Sequence, residues 1–260
     1  MSTDSGEQRR FRVGGLIALF VLVGLAALVG VWIRQQRVIV RQMLCESRLN
    51  QLHLAFYNYH DEFGSYPPAY VSDANGVPMH SWRVLILPYI DHADVYNRYD
   101  FTEPWDGPNN RTLARECEYF YCPNGPHSHE RPYTDYVVIV GPDTAFPPGG
   151  TRSMEDITDG KENTILIVEA GDAGIHWMEP RDLSVDEMSF VVNDATSPSI
   201  SSSHRAGPAV LFADSLKVFR LDASLHPETV RALTTVSGGE PVTRNALYHR
   251  DEKRRSYLAE

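Results

Sequence analysis

Basic residues are in deficit in this chain: 24 Lys and Arg against 34 Asp and Glu give a formal net charge of −10. That balance, with no Lys/Arg patch interleaved with aromatics, argues against a nucleic-acid surface. Cysteine is scarce, three in 260 residues, so not all can pair within one chain. Cys117-x4-Cys122 with one further cysteine does not make a zinc ribbon. No period of about 20–50 residues recurs, which excludes a solenoid. Neither a G-x-S-x-G elbow nor a phosphate-cradling glycine loop is present. Ser203, His204 and Asp214 are the residue types of a catalytic triad. Neighbours on an extended chain point to opposite faces, however, so Ser203 and His204 would not converge. No catalysis is expected.

What is present is an ordinary globular composition, 42% hydrophobic and 22% charged, with one exceptional run. Val13 to Ile33 is twenty-one residues without a charge, enough for a hydrocarbon core of about 30 Å. A signal-peptide core is shorter, about 7–15 residues, and Val31-Trp32-Ile33-Arg34 offers no A-x-A-like cleavage site. The expectation is an uncleaved, single-pass anchor at 13–33 behind a short basic tail at 1–12. Arg9, Arg10 and Arg12 precede the run while Arg34, Arg37 and Arg41 follow it, so charge does not set its orientation.

From residue 34 to 63 the pattern turns amphipathic. Cys45, Leu49, Leu52, Phe56, Tyr59 and Phe63 form one stripe at helical spacing. Gly64 and Pro67-Pro68 stop the helix. His53, His60, Asp61 and Glu62 match no ligand spacing and read as a solvated helix end with edge histidines.

Residues 64–243 read as the globular body and 244–260 as a polar tail. Trp82 to Ile90 is a short apolar run, either a helical turn or a strand. Asp91–Asp100 and Arg111–Tyr119 read as short helices, and Pro227–Thr235 as a helix opening on proline. Strands are expected at Asp135–Gly141, Thr164–Glu169 and Ala209–Ala213, with Leu216–Leu221 returning across Asp214-Ser215 as a hairpin. The fold class is α+β, the long helix covering one face of a mostly antiparallel sheet. Glu169, Asp172, His176, Glu179 and Asp182 read as a solvated acidic loop, and His127 and His129 as exposed.

Several motifs carry a family resemblance. They include CESRLNQLHLAFYNYHDEFGSYPPAY from Cys45, SWRVLILPYIDHADVYNRYDFTEPWDGPNN from Ser81, YFYCPN from Tyr119 and TDYVVIVGPDTAFP from Thr134. MEDITDGKENTILIVEA from Met154, SSSHRAGPAVLFADSLKVF from Ser201 and ALTTVSGGEPV from Ala232 complete the series. Together, over about residues 41–243, they resemble a planctomycete-type family, domain of unknown function 1559. That family pairs a prepilin-like N-terminal helix with a C-terminal His-x9-Asp-Gly signature. His204 and Asp214 keep the spacing, with Ser215 in place of the glycine. The prepilin processing site departs too, reading Arg9-Arg10-Phe11-Arg12-Val13-Gly14-Gly15 without a Glu in the apolar run.

The resemblance implies a pilin-like body outside the cytoplasm, anchored in the inner membrane. It matches Cys45 and Cys122 to the family's cysteines and so implies a disulfide tying the helix to the sheet. A Cys117–Cys122 bridge and free buried thiols are the alternatives. In the segment 100–110, Asp100, Glu103, Asp106, Asn109 and Asn110 gather oxygen ligands around Trp105 and Gly107. This loosely resembles the calcium-binding loop of major pseudopilins, but it lacks EF-hand spacing. An ordinary polar turn around a buried tryptophan is the simpler reading, with Ca2+ the ion such a loop would take.

Three functions compete. The first is a membrane-anchored, pilin- or pseudopilin-like structural or interaction protein on the extracytoplasmic (periplasmic) side, working with other envelope or secretion-associated proteins. The second is a tethered binding module for an extracytoplasmic solute or glycan, favoured if a concave aromatic pocket exists. The third, a hydrolase, would need convergent polar side chains around such a pocket.

Overall fold

A computed structural model describes residues 4–123, 125, 132–214 and 217–247, the side chains of 4–19, Val38, Asn245 and Ala246 excepted. The first element, α1, is one α-helix over Asp4–Phe63. It begins nine residues before the expected start at Val13, because Glu7-Gln8-Arg9-Arg10 are good helix formers and no proline intervenes. His127, His129 and the tail from residue 248 lie outside the described residues.

The chain forms two units, residues 1–43 and residues 44–260. In the first, the side chains described from Phe20 to Ile33 are exposed, with Phe20, Leu28 and Trp32 each at least 60% accessible. No apolar partner among the described residues covers them. Among the described residues this is the one helix long and apolar enough to cross a membrane.

The second unit begins with the remainder of α1, whose stripe behaves largely as its spacing predicts. Cys45, Leu49, Leu52, Ala55 and Phe56 are buried. Phe63 departs from the expected seam and is 58% exposed, since the helix stops there at Gly64, in the left-handed region at φ +74°.

The elements that follow are short: β1 (Tyr70–Ser72), β2 (Pro78–Ser81), α2 (Trp82–Leu85), α3 (Ala93–Arg98), β3 (Tyr133–Thr134), β4 (Tyr136–Val137) and β5 (Ile139–Val140). Then come β6 (Ile165–Glu169), β7 (Ile175–His176), β8 (Leu183–Ser184), β9 (Ala209–Phe212), β10 (Phe219–Arg220) and α4 (Pro227–Ala232). The central sheet has the order β10-β9-β6-β4, antiparallel throughout. Among the described strand pairings only β5 with β8 is parallel. The long helix and antiparallel sheet make the α+β class a finding.

The sheet is covered on both faces, which is why β6 reads Ile-Leu-Ile-Val without alternation and is buried at every position. In β9, Ala209 and Leu211 face a core shared with Cys45, Leu49, Leu52 and Phe56 of α1. Val210 and Phe212 face a second core with Val230 and Leu233 at α4. An irregularity between Ile165 and Ile167 re-phases β6 against β9. Phe56 anchors the first core, its ring 4.9 Å from that of Trp82 and 5.8 Å from that of Phe146.

Two expectations are revised. Arg111–Tyr119 is not an α-helix but a single 3-10 turn at Asn110–Leu113, set by the Asn110 side chain described below. The returning strand β10 pairs from Phe219 with Val210, so the connection is longer than a two-residue turn at Asp214-Ser215. Ser215 and Leu216 themselves lie outside the described residues.

Candidate functional site: a buried disulfide, histidine and carboxylate node

Cys45 on α1 and Cys122 are joined as a disulfide, with a sequence separation of 77. Cys117 is buried and outside that bond. The register of β4 on β6 sets Tyr136 opposite Glu169, and the Tyr136 hydroxyl donates to the Cys45 carbonyl at 3.3 Å. Asp135, immediately before β4, accepts the Cys122 amide on Oδ2 at 2.6 Å. Both cysteines are therefore held to the sheet by backbone contacts as well as by the covalent bond.

His204 completes the cluster. Its Nε2 lies 3.1 Å from Cys122 Sγ and 3.4 Å from Glu169 Oε1. Glu169 is 1% exposed; its Oε2 accepts the Ala209 amide at 2.9 Å and lies 3.4 Å from Arg220 Nη1. Its Oε1 has no hydrogen-bond partner, the His204 distance lacking the alignment of one. Burial pushes the Asp135 carboxyl up to about 7, the Cys122 amide pulling the other way and the Glu169 charge adding to the rise.

The local chain explains the placement of His204. The Ser202 hydroxyl accepts the His204 amide at 3.2 Å, and the His204 carbonyl accepts the Gly207 amide at 2.9 Å, closing a four-residue turn. Gly207 has φ +93°, and a Cβ there would stand 1.9 Å from the Leu221 carbonyl oxygen. Gly207→Ala is expected to lose about 1–3 kcal/mol from the backbone conformation alone, with the clash in addition. A urea titration followed by tryptophan fluorescence measures it, since Trp82 and Trp177 are buried; an unchanged midpoint would contradict this role.

The other expected site residues separate. Asp214 pairs with Arg244 Nη1 at 2.8 Å, whereas the His204 imidazole faces the disulfide and Glu169. In the 100–110 loop, Asp100 Oδ1 accepts from the Thr102 amide and hydroxyl. Glu103 Oε1 accepts the amides of Asn109 and Asn110 at 2.9 and 2.6 Å, and Asp106 is exposed. Fully buried Asn110 organises the turn, accepting the Asp100 amide and donating to the carbonyls of Asp100 and Pro104. A Cβ at Gly107 would stand 2.5 Å from Glu103 Cδ, so a side chain there would push the Glu103 carboxylate off the two amides it accepts.

Three readings of solvated charge are corrected. His53 is 7% exposed, and burial holds its imidazole below the usual range. Glu169 belongs to the buried node. Asp182 is also buried, its Oδ1 accepting from Arg83 Nη2 at 2.6 Å, the Val138 amide at 3.0 Å and Trp82 Nε1 at 3.2 Å. Arg83 further donates through Nε and Nη2 to the Tyr136 carbonyl and through Nη1 to Ser81 Oγ. Burial drives Asp182 up and Arg83 down, and each charge opposes the shift of the other.

Clefts that open on the body include two formed by described residues. One, of 280 Å³, is lined by Tyr59, Phe63, Tyr89, Tyr96 and Glu62, with the Tyr89 hydroxyl donating to Glu62 Oε2 at 2.5 Å. The other, of 440 Å³, has a mixed lining, with Asp172, Arg181, Glu187 and Asp194 beside Ile175, Leu183 and Pro198.

Residues 35–152 match the model of a family described as "Protein of unknown function (DUF1559)", a match that ends before His204 and Asp214. No curated protein and no solved structure matches the chain.

Proposed function

We propose an anchored interaction protein, since residues 35–152 match the model of the DUF1559 family, whose function is unknown, and the chain carries an apolar N-terminal helix fit for a membrane. Its body lies on the extracytoplasmic side, built in the manner of a pilin, and works by presenting its surface to envelope or secretion-associated proteins without catalysis. The observation that carries the reading is α1 itself. Its side chains at 20–33 have no apolar partner among the described residues, whereas Cys45, Leu49, Leu52 and Phe56 sit in the core and Cys45 is cross-linked to it. A disulfide linking distant segments suits an oxidising compartment, which supports the sidedness. The departures around Arg9–Gly15 favour a permanent tether over a processed fibre subunit.

A C-terminal fusion to a reporter active only outside the cytoplasm tests both anchor and side. Full-length fusions are expected to be active and membrane-bound, and deletion of residues 1–33 to abolish both. Activity of a cytoplasm-only reporter in the full-length fusion would overturn the proposal.

The aromatic cleft favours a second reading, a tethered module for a glycan. Tyr59, Tyr89 and Tyr96 offer ring faces, and Glu62 offers a carboxylate acceptor. The exposure of Phe63 at that cleft fits the same reading.

A further inference from the structure

The buried node holds more ligand chemistry than a disulfide needs. Cys45, Cys122 and His204 come from three distant parts of the chain, yet their Sγ and imidazole nitrogen atoms lie within 4.8 Å of one another, all buried. Among the described residues they are the one grouping of His, Cys, Asp and Glu with that reach. Glu169 supplies an independent observation. Its Oε1 is buried, without a hydrogen bond, and 3.4 Å from the same His204 nitrogen, while Oε2 is fixed by the Ala209 amide. A buried carboxylate oxygen left without a donor beside a histidine is costly unless a cation or proton meets it.

We propose that, once the Cys45–Cys122 bond is reduced, Cys45, Cys122, His204 Nε2 and Glu169 Oε1 form a zinc(II) site. The metal would hold α1 to the sheet in place of the covalent link. Two thiolates, an imidazole and a carboxylate are a tetrahedral zinc donor set, with metal–ligand distances of about 2.0–2.3 Å. Donors at the corners of such a tetrahedron stand about 3.3–3.8 Å apart. His204 Nε2 and Glu169 Oε1, at 3.4 Å, already meet that spacing, and Nε2 to Cys122 Sγ, at 3.1 Å, is slightly short of it. The two sulfurs have to part, and Glu169, which lies outside the 4.8 Å grouping, has to close toward the thiolates.

The chemistry balances with a dithiol as reductant. It gives two electrons and two protons to the S–S bond, becoming a disulfide itself, and leaves two thiols. Zinc then displaces the two thiol protons and takes the neutral imidazole through Nε2. The Asp135 bond to the Cys122 amide keeps that ligand's backbone oriented.

The test uses the full chain in detergent with Cys117→Ser, so that only the two site thiols remain. The protein is reduced with a phosphine and titrated with cobalt(II), then zinc(II). Expected are one equivalent of cobalt with thiolate charge-transfer absorption, its loss on adding zinc, and no such absorption in the oxidised protein. His204→Gln and Glu169→Gln are each expected to weaken zinc binding at least tenfold. Absence of the charge-transfer band, or binding unchanged in His204→Gln, would overturn the proposal. Should reduction alone unfold the body, recovery of the folded circular-dichroism signal on adding zinc supports the site, and failure to recover it counts against it.

Discussion

Replacing Asp182 with alanine is expected to lower the stability of the body by about 3–5 kcal/mol, because it strands a fully buried guanidinium. Arg83 and Asp182 have side-chain exposures of 0% and 1%, so water cannot replace the missing charge. The same carboxylate oxygen serves the Val138 amide and the Trp82 indole, and both donors would be orphaned as well. The double variant Arg83→Met with Asp182→Leu should recover part of the loss by removing the unpaired charge. It should not recover all of it, since Val138 and Trp82 still lack an acceptor. Urea midpoints for the single and double variants decide the matter. A loss under about 1 kcal/mol in Asp182→Ala would mean that the pair behaves like a surface ion pair.

Cys45→Ser is the second large effect. With a sequence separation of 77 between the bonded cysteines, the chain-entropy treatment gives about 4–5 kcal/mol of stabilisation from the closed loop. Loss of the bond removes the cross-link between α1 and Cys122 but leaves Leu49, Leu52 and Phe56 in the first core. The expected result is therefore a less stable body with its apolar seam retained. A stability equal to wild type under oxidising conditions would contradict it.

The elements that were legible in the sequence are those whose environment is written locally. The stripe from Cys45 to Phe56, the breaks at Gly64 and Pro67, and the apolar runs of β6 and β9 all announce themselves by period or composition. So did the turn character of Asp100–Asn110, although Asn110, which organises it, looked like one more oxygen ligand. The misreadings concern charge. Glu169, Asp182 and His53 look solvated along the chain, and the side chain of each is buried by segments far from it in sequence. Arg83 sits 99 residues from Asp182, inside a run that reads as apolar. Partners at that distance leave no period behind. His204 stands out in the sequence by its spacing to Asp214 and as a triad residue type beside Ser203, whereas its structural neighbours are Cys122 and Glu169. The Gly207-Pro208 pair after it was the available signal for a fixed turn.

The Cys45–Cys122 bond ties the C-terminal part of α1 to the sheet, and the proposed extracytoplasmic placement requires that it form in the cell. The most direct test is peptide mapping of the full-length chain from membranes of cells quenched with a thiol-alkylating agent before lysis. The account predicts the Cys45 and Cys122 peptides recovered linked to each other, with Cys117 absent from that link. Recovery of Cys45 and Cys122 as separate alkylated peptides would contradict it.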